Sequence, residues 1–248
     1  MDFSYLCDDS LFPGEHIAGC LGSGNIQTNL DLLLSALGNT AFLSFSALII
    51  AIIVGIFVGI FRTATNSLLL RIIGTVWVEF FRNTPLLVQL FLWYFVVPKM
   101  FPILLTILPA YLLVILGLGF FTSARIAEQV RSGIEAIPSG QKQAALALGF
   151  TMSQTYRYVL IPRTLRTIMP PLISESMGII KNSAAAFAVG VPELLRNARQ
   201  ATDTTSLPIE NYLVATVLYV FLALIVFLVM AVVERRLRIP GLKQSGEA

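Results

Sequence analysis

Long uncharged apolar runs alternate along the chain with short charged connectors, and this pattern sets the elements expected of it. The first run, 37–61, ends at Arg62 and is long enough to cross a hydrocarbon core of about 30 Å as a helix. Gly55 and Gly59, four apart, give it a small-residue stripe suited to close helix packing, or are merely tolerated there. The second run, 67–97, is interrupted by Arg71, Glu79 and Arg82 before Pro85. It reads as one broken or tilted span, an amphipathic approach followed by a passage mainly over 86–97. Pro98, Lys99 and Pro102 predict a turn. A third span follows over 103–122, kinked at Pro109 and closed by Arg125. Beyond a polar segment, 125–166, come a fourth apolar region at 168–189, a polar loop at 192–208 and a clean fifth span at 212–233.

Composition agrees with this reading. Of 248 residues 56% are hydrophobic and 12% charged, with a mean hydropathy of +0.80, too apolar for a soluble domain of this size. The chain is an all-α, polytopic membrane protein. Placing the basic segment 125–166 inside also puts Arg62, Arg71 and the tail bases Arg235, Arg236, Arg238 and Lys243 inside, and leaves an acidic N-terminus outside. The expectation is therefore about five transmembrane helices, N-terminus out and C-terminus in, with a cytoplasmic helix-turn-helix between the third and fourth. Treating 67–82 as a separate span gives six and breaks the charge bias. The parts are an extracytoplasmic segment 1–36, a transmembrane domain 37–240 containing the loop 125–166, and a cytoplasmic tail 241–248. The net charge of +3 is distributed by membrane side and is joined by no base-stacking platform, which excludes nucleic acid.

The N-terminal segment carries Asp2, Asp8, Asp9, Glu15 and Asp31 and no base, so it does not read as a signal peptide. Cys7 and Cys20 both lie in it and either pair in an oxidising compartment or stay free. His16 stands alone, and no cluster predicts a metal site. No phosphate-binding loop, nucleophile elbow or zinc-binding helix motif occurs, so no catalytic residue and no cofactor is expected in this chain.

What remains is charge and polarity at membrane depth, which is costly and by default lines a path or is paired internally. On the fourth region Pro171, Ser174, Gly178, Lys181 and Ala185 share one helical face, with Glu175, Gly178 and Asn182 on an overlapping stripe and Ser183 adjoining. This face reads as the wall of a substrate pathway, or as structural charges satisfied by neighbouring helices. A second candidate is Arg82, Asn83 and Thr84 before Pro85, with Gln89 after it, where a broken helix presents polar groups. Arg82 suits a carboxylate, or pairs with Glu79 to lock the bend. Trp93 and Tyr94 sit where an aromatic belt places such residues.

Within the polar segment, 143–162 predicts two short helices bent at a glycine. Ser139 caps the first, Gly149 closes it, Thr151 with Gln154 opens the second as a capping box, and Pro162 stops that helix. Such a unit is a docking surface for a soluble partner. Its residues Gln143, Ala144, Ala145, Gly149, Val159, Ile161 and Pro162 resemble, in spacing, the coupling-loop signature of ABC-importer permeases, with Gln143 where the family often has Glu. VEFFRNTPLLVQLF from Val78, GFFTSARIAEQVRSGIEAIPSGQ and KNSAAA from Lys181 resemble the polar amino-acid branch, most closely its glutamate/aspartate or broad-range permeases.

The resemblance implies a bacterial inner-membrane permease subunit for amino acids, acidic ones by preference. It also implies a second permease chain, identical or homologous, a dimer of ATP-binding subunits that hold ATP and Mg, and an extracytoplasmic amino-acid-binding protein, all within membrane lipid. Under it, Ala144, Ala145 and Gly149 form the small-residue face of a coupling helix seated on the ATPase. Two other classes compete: an ion-coupled secondary transporter, for which inverted repeats are missing, and a non-transporting scaffold, against which the charged pathway face argues.

Overall fold

The structure, a computed structural model, describes residues 3–8, 20, 28–64, 67–103 and 108–237. His16, most of the acidic N-terminal segment and the tail bases Arg238 and Lys243 lie outside the described residues. All regular structure among them is helical.

Helix α1, Asn29–Thr63, starts earlier than the apolar run because Thr28 and Asp31 form a capping box ahead of it, with Thr28 N–H donating to Asp31 at 3.0 Å. Its 35 residues therefore take in the last part of the expected N-terminal segment. Helix α2 is Leu68–Asn83, and helix α3, Leu86–Met100, follows at a bend of 106°. The break falls where predicted, since Pro85 donates no hydrogen bond and holds the chain extended. No turn forms at Pro98 and Lys99, however. A π-helical turn, Leu92–Val96, precedes Pro98 and the helix runs on to Met100. Widening the preceding turn moves aside the carbonyl that the proline ring would strike.

Helix α4, Ala110–Glu135, corrects two expectations. Pro109 is its N-cap and not a kink, and Arg125 lies inside the helix and not at its end. Helix α5 is Ser139–Ala147. Helix α6 joins Met152–Thr155, a π turn Tyr156–Leu160 and Ile161–Thr167, so that Pro162 continues the helix by the same device as Pro98. Helix α7, Met169–Ser183, passes into a 3-10 segment, Ala184–Val189. The stretch expected to be a polar loop contains helix α8, Leu194–Thr205, and helix α9 spans Pro208–Leu237. Among the described residues three helices, α1, α4 and α9, are long and apolar enough to cross a membrane, and α2 with α3 makes a fourth if the bent pair is one span. At 15 residues, α7 is short of the roughly 20 that a lone span needs.

Helices α1 and α4 run parallel. Tyr111 O–H donates to Asn39 O at 3.0 Å near their starts; further along, Gly119 faces Ile50, Gly55 faces Ile126 and Gly59 faces Val130. Near the far end Arg62 pairs with Glu128. The small-residue stripe thus makes a tight contact: a Cβ added to Gly59 would lie 2.6 Å from Val130 Cβ. Parallel neighbours require the chain between them to return, and α2–α3 does so. Gly74 packs on Arg62, Trp77 donates to Ser123 at 3.0 Å, Phe81 meets Phe120, and Trp93 reaches Gly117. Trp93 is half-buried, with its ring packed on Phe120 of α4. Helix α7 runs against α4, from Ile168 at Gly133, past Glu175 at Arg125, to Ile179 and Ile180 beside Leu118.

The Thr28 end is closed by α8. Glu193, fully buried, accepts from Leu195 N–H at 2.9 Å and Arg196 N–H at 2.7 Å and from the Tyr219 hydroxyl. Leu194 N–H donates to Thr40 Oγ1 at 3.0 Å. Replacing Glu193 by Ala leaves three donors without their acceptor and is expected to cost about 2–4 kcal/mol. Thermal unfolding in detergent checks this, with Glu193→Gln losing less. Cys7 and Cys20 are disulfide-bonded, and Asn29 Nδ2 donates to Tyr5 O at 2.9 Å, holding the N-terminal turn Ser4–Cys7 on α1.

Candidate functional site

The hairpin α5–α6 is built by local rules. Phe150 N–H donates to Ala145 O at 3.1 Å and Gly149 N–H to Leu146 O at 3.0 Å, with Gly149 at φ 87°: a Schellman close that a residue without Cβ adopts freely. Thr151 and Gln154 then form the predicted capping box, at 3.3 Å and 2.8 Å. Ser139 is the first helical residue and not the cap, which is Pro138. The hairpin is tied to the helix ends: Tyr156 O–H donates to Thr63 O at 2.7 Å, and Thr164 and Ile168 pack on Gly133.

Gln143, Ala144 and Gly149 are exposed, Val159, Ile161 and Pro162 half-buried, and Ala145 is buried within the hairpin. Ala145 is therefore small for the contact inside this chain and is not on the open face. Sequence reasoning missed what that face does carry: Leu148, 79% exposed, with Leu146, Phe150 and Tyr158. The signal was available, since apolar side chains next to an αL glycine in a hairpin have no core to enter.

The polar groups at membrane depth divide by partner. Glu79 accepts from Asn83 Nδ2 at 2.7 Å and not from Arg82, which is exposed and has no ion pair among the described residues. Gln89 is buried, and its Nε2 donates to Thr84 Oγ1 at 2.6 Å, Thr84 O at 3.0 Å and Phe81 O at 2.9 Å. Gln89 and Thr84 thus close the end of α2 that Pro85 opens. On α7, Glu175 lies 3.3 Å from Arg125, whose guanidinium sits 4.7 Å from the Phe121 ring centre. Ser183 is buried, donating to Ile180 O at 2.7 Å, and belongs to the core. Ser174 and Lys181 are exposed along one face, with Asn182 half-buried, and a Cβ on Gly178 would meet nothing within 4 Å. Leu90 of α3 shares a core with Ile179 and Ile180 of α7, so the two candidate sets lie on packed neighbours. No hydrogen bond or ion pair joins them among the described residues.

The described residues thus form a helical unit whose long apolar helices carry a glycine-closed hairpin at their ends, with no group of three or more His, Cys, Asp or Glu able to hold a metal ion among them. Residues 48–239 match the family described as the binding-protein-dependent transport system inner membrane component, and the chain belongs to it. It is 42% identical over 223 residues, covering 86% of this chain and 90% of the relative, to the glutamate/aspartate import permease protein GltJ of Escherichia coli strain K12. A solved amino acid ABC transporter with histidines superposes with a TM-score of 0.70 at 30% identity over 84% of this chain and 94% of that one. The MetNI methionine ABC transporter in an inward-facing conformation superposes with a TM-score of 0.71 at 21% identity, over 85% and 98%, a likeness of fold. The chain is accordingly a multi-pass inner-membrane permease subunit of an ABC transporter, working with a binding protein, and ATP is bound and hydrolysed on partner subunits.

Proposed function

We propose that this permease imports amino acids, acidic ones by preference, crossing the membrane five times with its N-terminus outside. The observation that carries the substrate class is the 42% identity to a glutamate/aspartate permease over nearly the whole of both chains. The chain directions support five crossings: α1, α4 and α9 run one way, and α2–α3 and α7 with its 3-10 extension run the other. In this reading the Arg62 end is cytoplasmic, by the bias of bases to that side. The hairpin residues 143–162 dock on an ATPase dimer, and a second permease chain completes the pathway. Arg82, Ser174, Gly178, Lys181 and Asn182 face that pathway, because they are the members of the candidate set left open. Glu175 is held by Arg125 and Asn83 by Glu79, and Gln89, Thr84 and Ser183 serve the fold.

ATP-driven uptake by the reconstituted transporter with its binding protein, challenged with a panel of unlabelled amino acids, tests this. Glutamate and aspartate are expected to compete best. Lys181→Ala and Arg82→Ala are each expected to lower uptake roughly tenfold with assembly intact, the loss of one charge-assisted contact. Equal competition by neutral and basic amino acids removes the acidic preference, and normal uptake in both variants removes the pathway assignment.

A further inference from the structure

A cavity of about 560 Å³ opens among the ends of α1, α2, α4 and α5, beside Arg62. Four cations, Arg62, Arg71, Arg131 and Lys142, and one carboxylate, Glu135, form its wall. Arg62 is paired with Glu128, and Arg131 is shared between Glu128 at 3.5 Å and Glu135 at 3.0 Å. Arg71 donates one guanidinium N–H to Ala64 O at 3.3 Å. Neither Arg71 nor Lys142 has a carboxylate partner among the described residues. Four cations against two carboxylates leave two positive charges uncompensated in a concave site. A site of that charge attracts an anion.

The surroundings say which kind of anion. The cavity lies where the apolar crossing helices end, at the level of the hairpin that stands outside the bilayer. Directly beside Arg71 on α2, Leu68, Leu69, Ile72 and Ile73 point outward, Leu68 being 71% exposed. A soluble anion uses the cations and gains nothing from this stripe. An amphiphile with an anionic head uses both, since burying acyl chains on the stripe and the head among bases draws on two independent attractions. We infer that the cavity holds the phosphodiester headgroup of an anionic phospholipid, with Arg71 and Lys142 as its charge contacts and the acyl chains along Leu68, Leu69, Ile72 and Ile73. The inference rests on the permease reading only in placing the Arg62 end at a membrane surface.

The test uses the full chain assembled with its partner subunits in nanodiscs of phosphatidylcholine containing a minority of phosphatidylglycerol, with native mass spectrometry of the lipid that stays bound. Phosphatidylglycerol is expected to be enriched over its bulk fraction on the order of tenfold. Arg71→Gln with Lys142→Gln returns the bound lipid to the bulk ratio. Arg71→Lys with Lys142→Arg keeps the enrichment, and so does Lys99→Gln, a cation on α3 away from the cavity. A bulk ratio in the unmodified protein overturns the inference without reference to any variant, as does undiminished enrichment in the doubly neutralised one. Inorganic phosphate, titrated into discs of phosphatidylcholine alone and followed by calorimetry, separates the two sources of the anion. Saturable binding abolished by the double neutralisation makes a soluble anion the ligand and overturns the lipid assignment; no binding supports it. Amino-acid uptake measured on the same preparations reports on the permease reading separately, because lipid retention needs no substrate.

Discussion

Replacing Gly55 and Gly59 together by leucine is expected to remove most of the folded permease from the membrane. The two glycines lie where α1 and α4 approach most closely, and the neighbours include main chain as well as side chains. A Cβ at Gly55 would lie 2.7 Å from Ile126 Cβ and 3.0 Å from Ser123 O; at Gly59 it would lie 2.8 Å from Ala127 O. Backbone oxygens of a helix cannot swing aside, so relief requires α1 to move off α4. That movement opens the contact holding Arg62 to Glu128 and Tyr111 to Asn39. Overpacking costs typically 1–3 kcal/mol per site, and two sites on one seam bring the loss to roughly 2–6 kcal/mol, a large part of a marginal stability. Membrane yield and the melting temperature after detergent extraction measure it. Gly38 on the same helix is exposed and a Cβ added there meets nothing within 4 Å, so Gly38→Leu serves as the control that should leave both unchanged. A double variant that melts with the parent would mean that this seam is looser than the coordinates show.

The second large effect is on transport and not on folding. Gly149→Val is expected to leave the permease inserted while ATP-driven uptake falls roughly tenfold or more. An added Cβ at Gly149 meets no atom within 4 Å, so packing inside the chain does not object. The backbone does: φ is 87° there, and a β-branched residue in that region carries about 1–3 kcal/mol of strain. The strain is released by undoing the turn between α5 and α6, which re-aims Leu148 and Phe150, the apolar side chains on its exposed face. Gly149→Asn, which tolerates the left-handed region, should recover much of the uptake, and Gly140→Ala, where an added Cβ on α5 meets nothing within 4 Å, should cost nothing. Unimpaired uptake by the valine variant, with the protein at parental abundance, would sink the coupling role of the turn.

These two positions also show where sequence was sufficient. The stop at Gly149 and the start at Thr151–Gln154 depend on a handful of consecutive residues, so the local pattern contains the whole cause. That long apolar helices stand at α1, α4 and α9 was legible from hydropathy, but the bounds of α1 and α4 were not, since a capping box starts α1 early and α4 runs on past Arg125. Helix α8 was not, because only Leu194 and Ala198 of its apolar positions are buried and its cap is a fully buried Glu193 that also accepts from Tyr219 of α9. Pro98 and Pro162 were misread as stops because a π turn has no marker of its own in the sequence; it is inferred only once the helix is seen to continue. Among the candidate site residues, Gln89 and Ser183 look in sequence like groups awaiting a solute. Satisfying nearby backbone oxygens uses the same side chains as binding a ligand does, and only the fold distinguishes the two. Arg125 as the partner of Glu175 was likewise invisible, since the pair is made by the antiparallel passage of α7 along α4 and by no spacing within either.

The parallel seam of α1 and α4 has a mechanical consequence. Pinned by Tyr111 near one end, by glycine contacts along its length and by Arg62 with Glu128 near the other, the pair is expected to move as a single strut. Tyr156 fastens the hairpin to the foot of that pair at Thr63, so a displacement of the hairpin is expected to carry α1 and α4 together. The 106° bend between α2 and α3, where Arg82 stands, lies beside this pair and outside its seam.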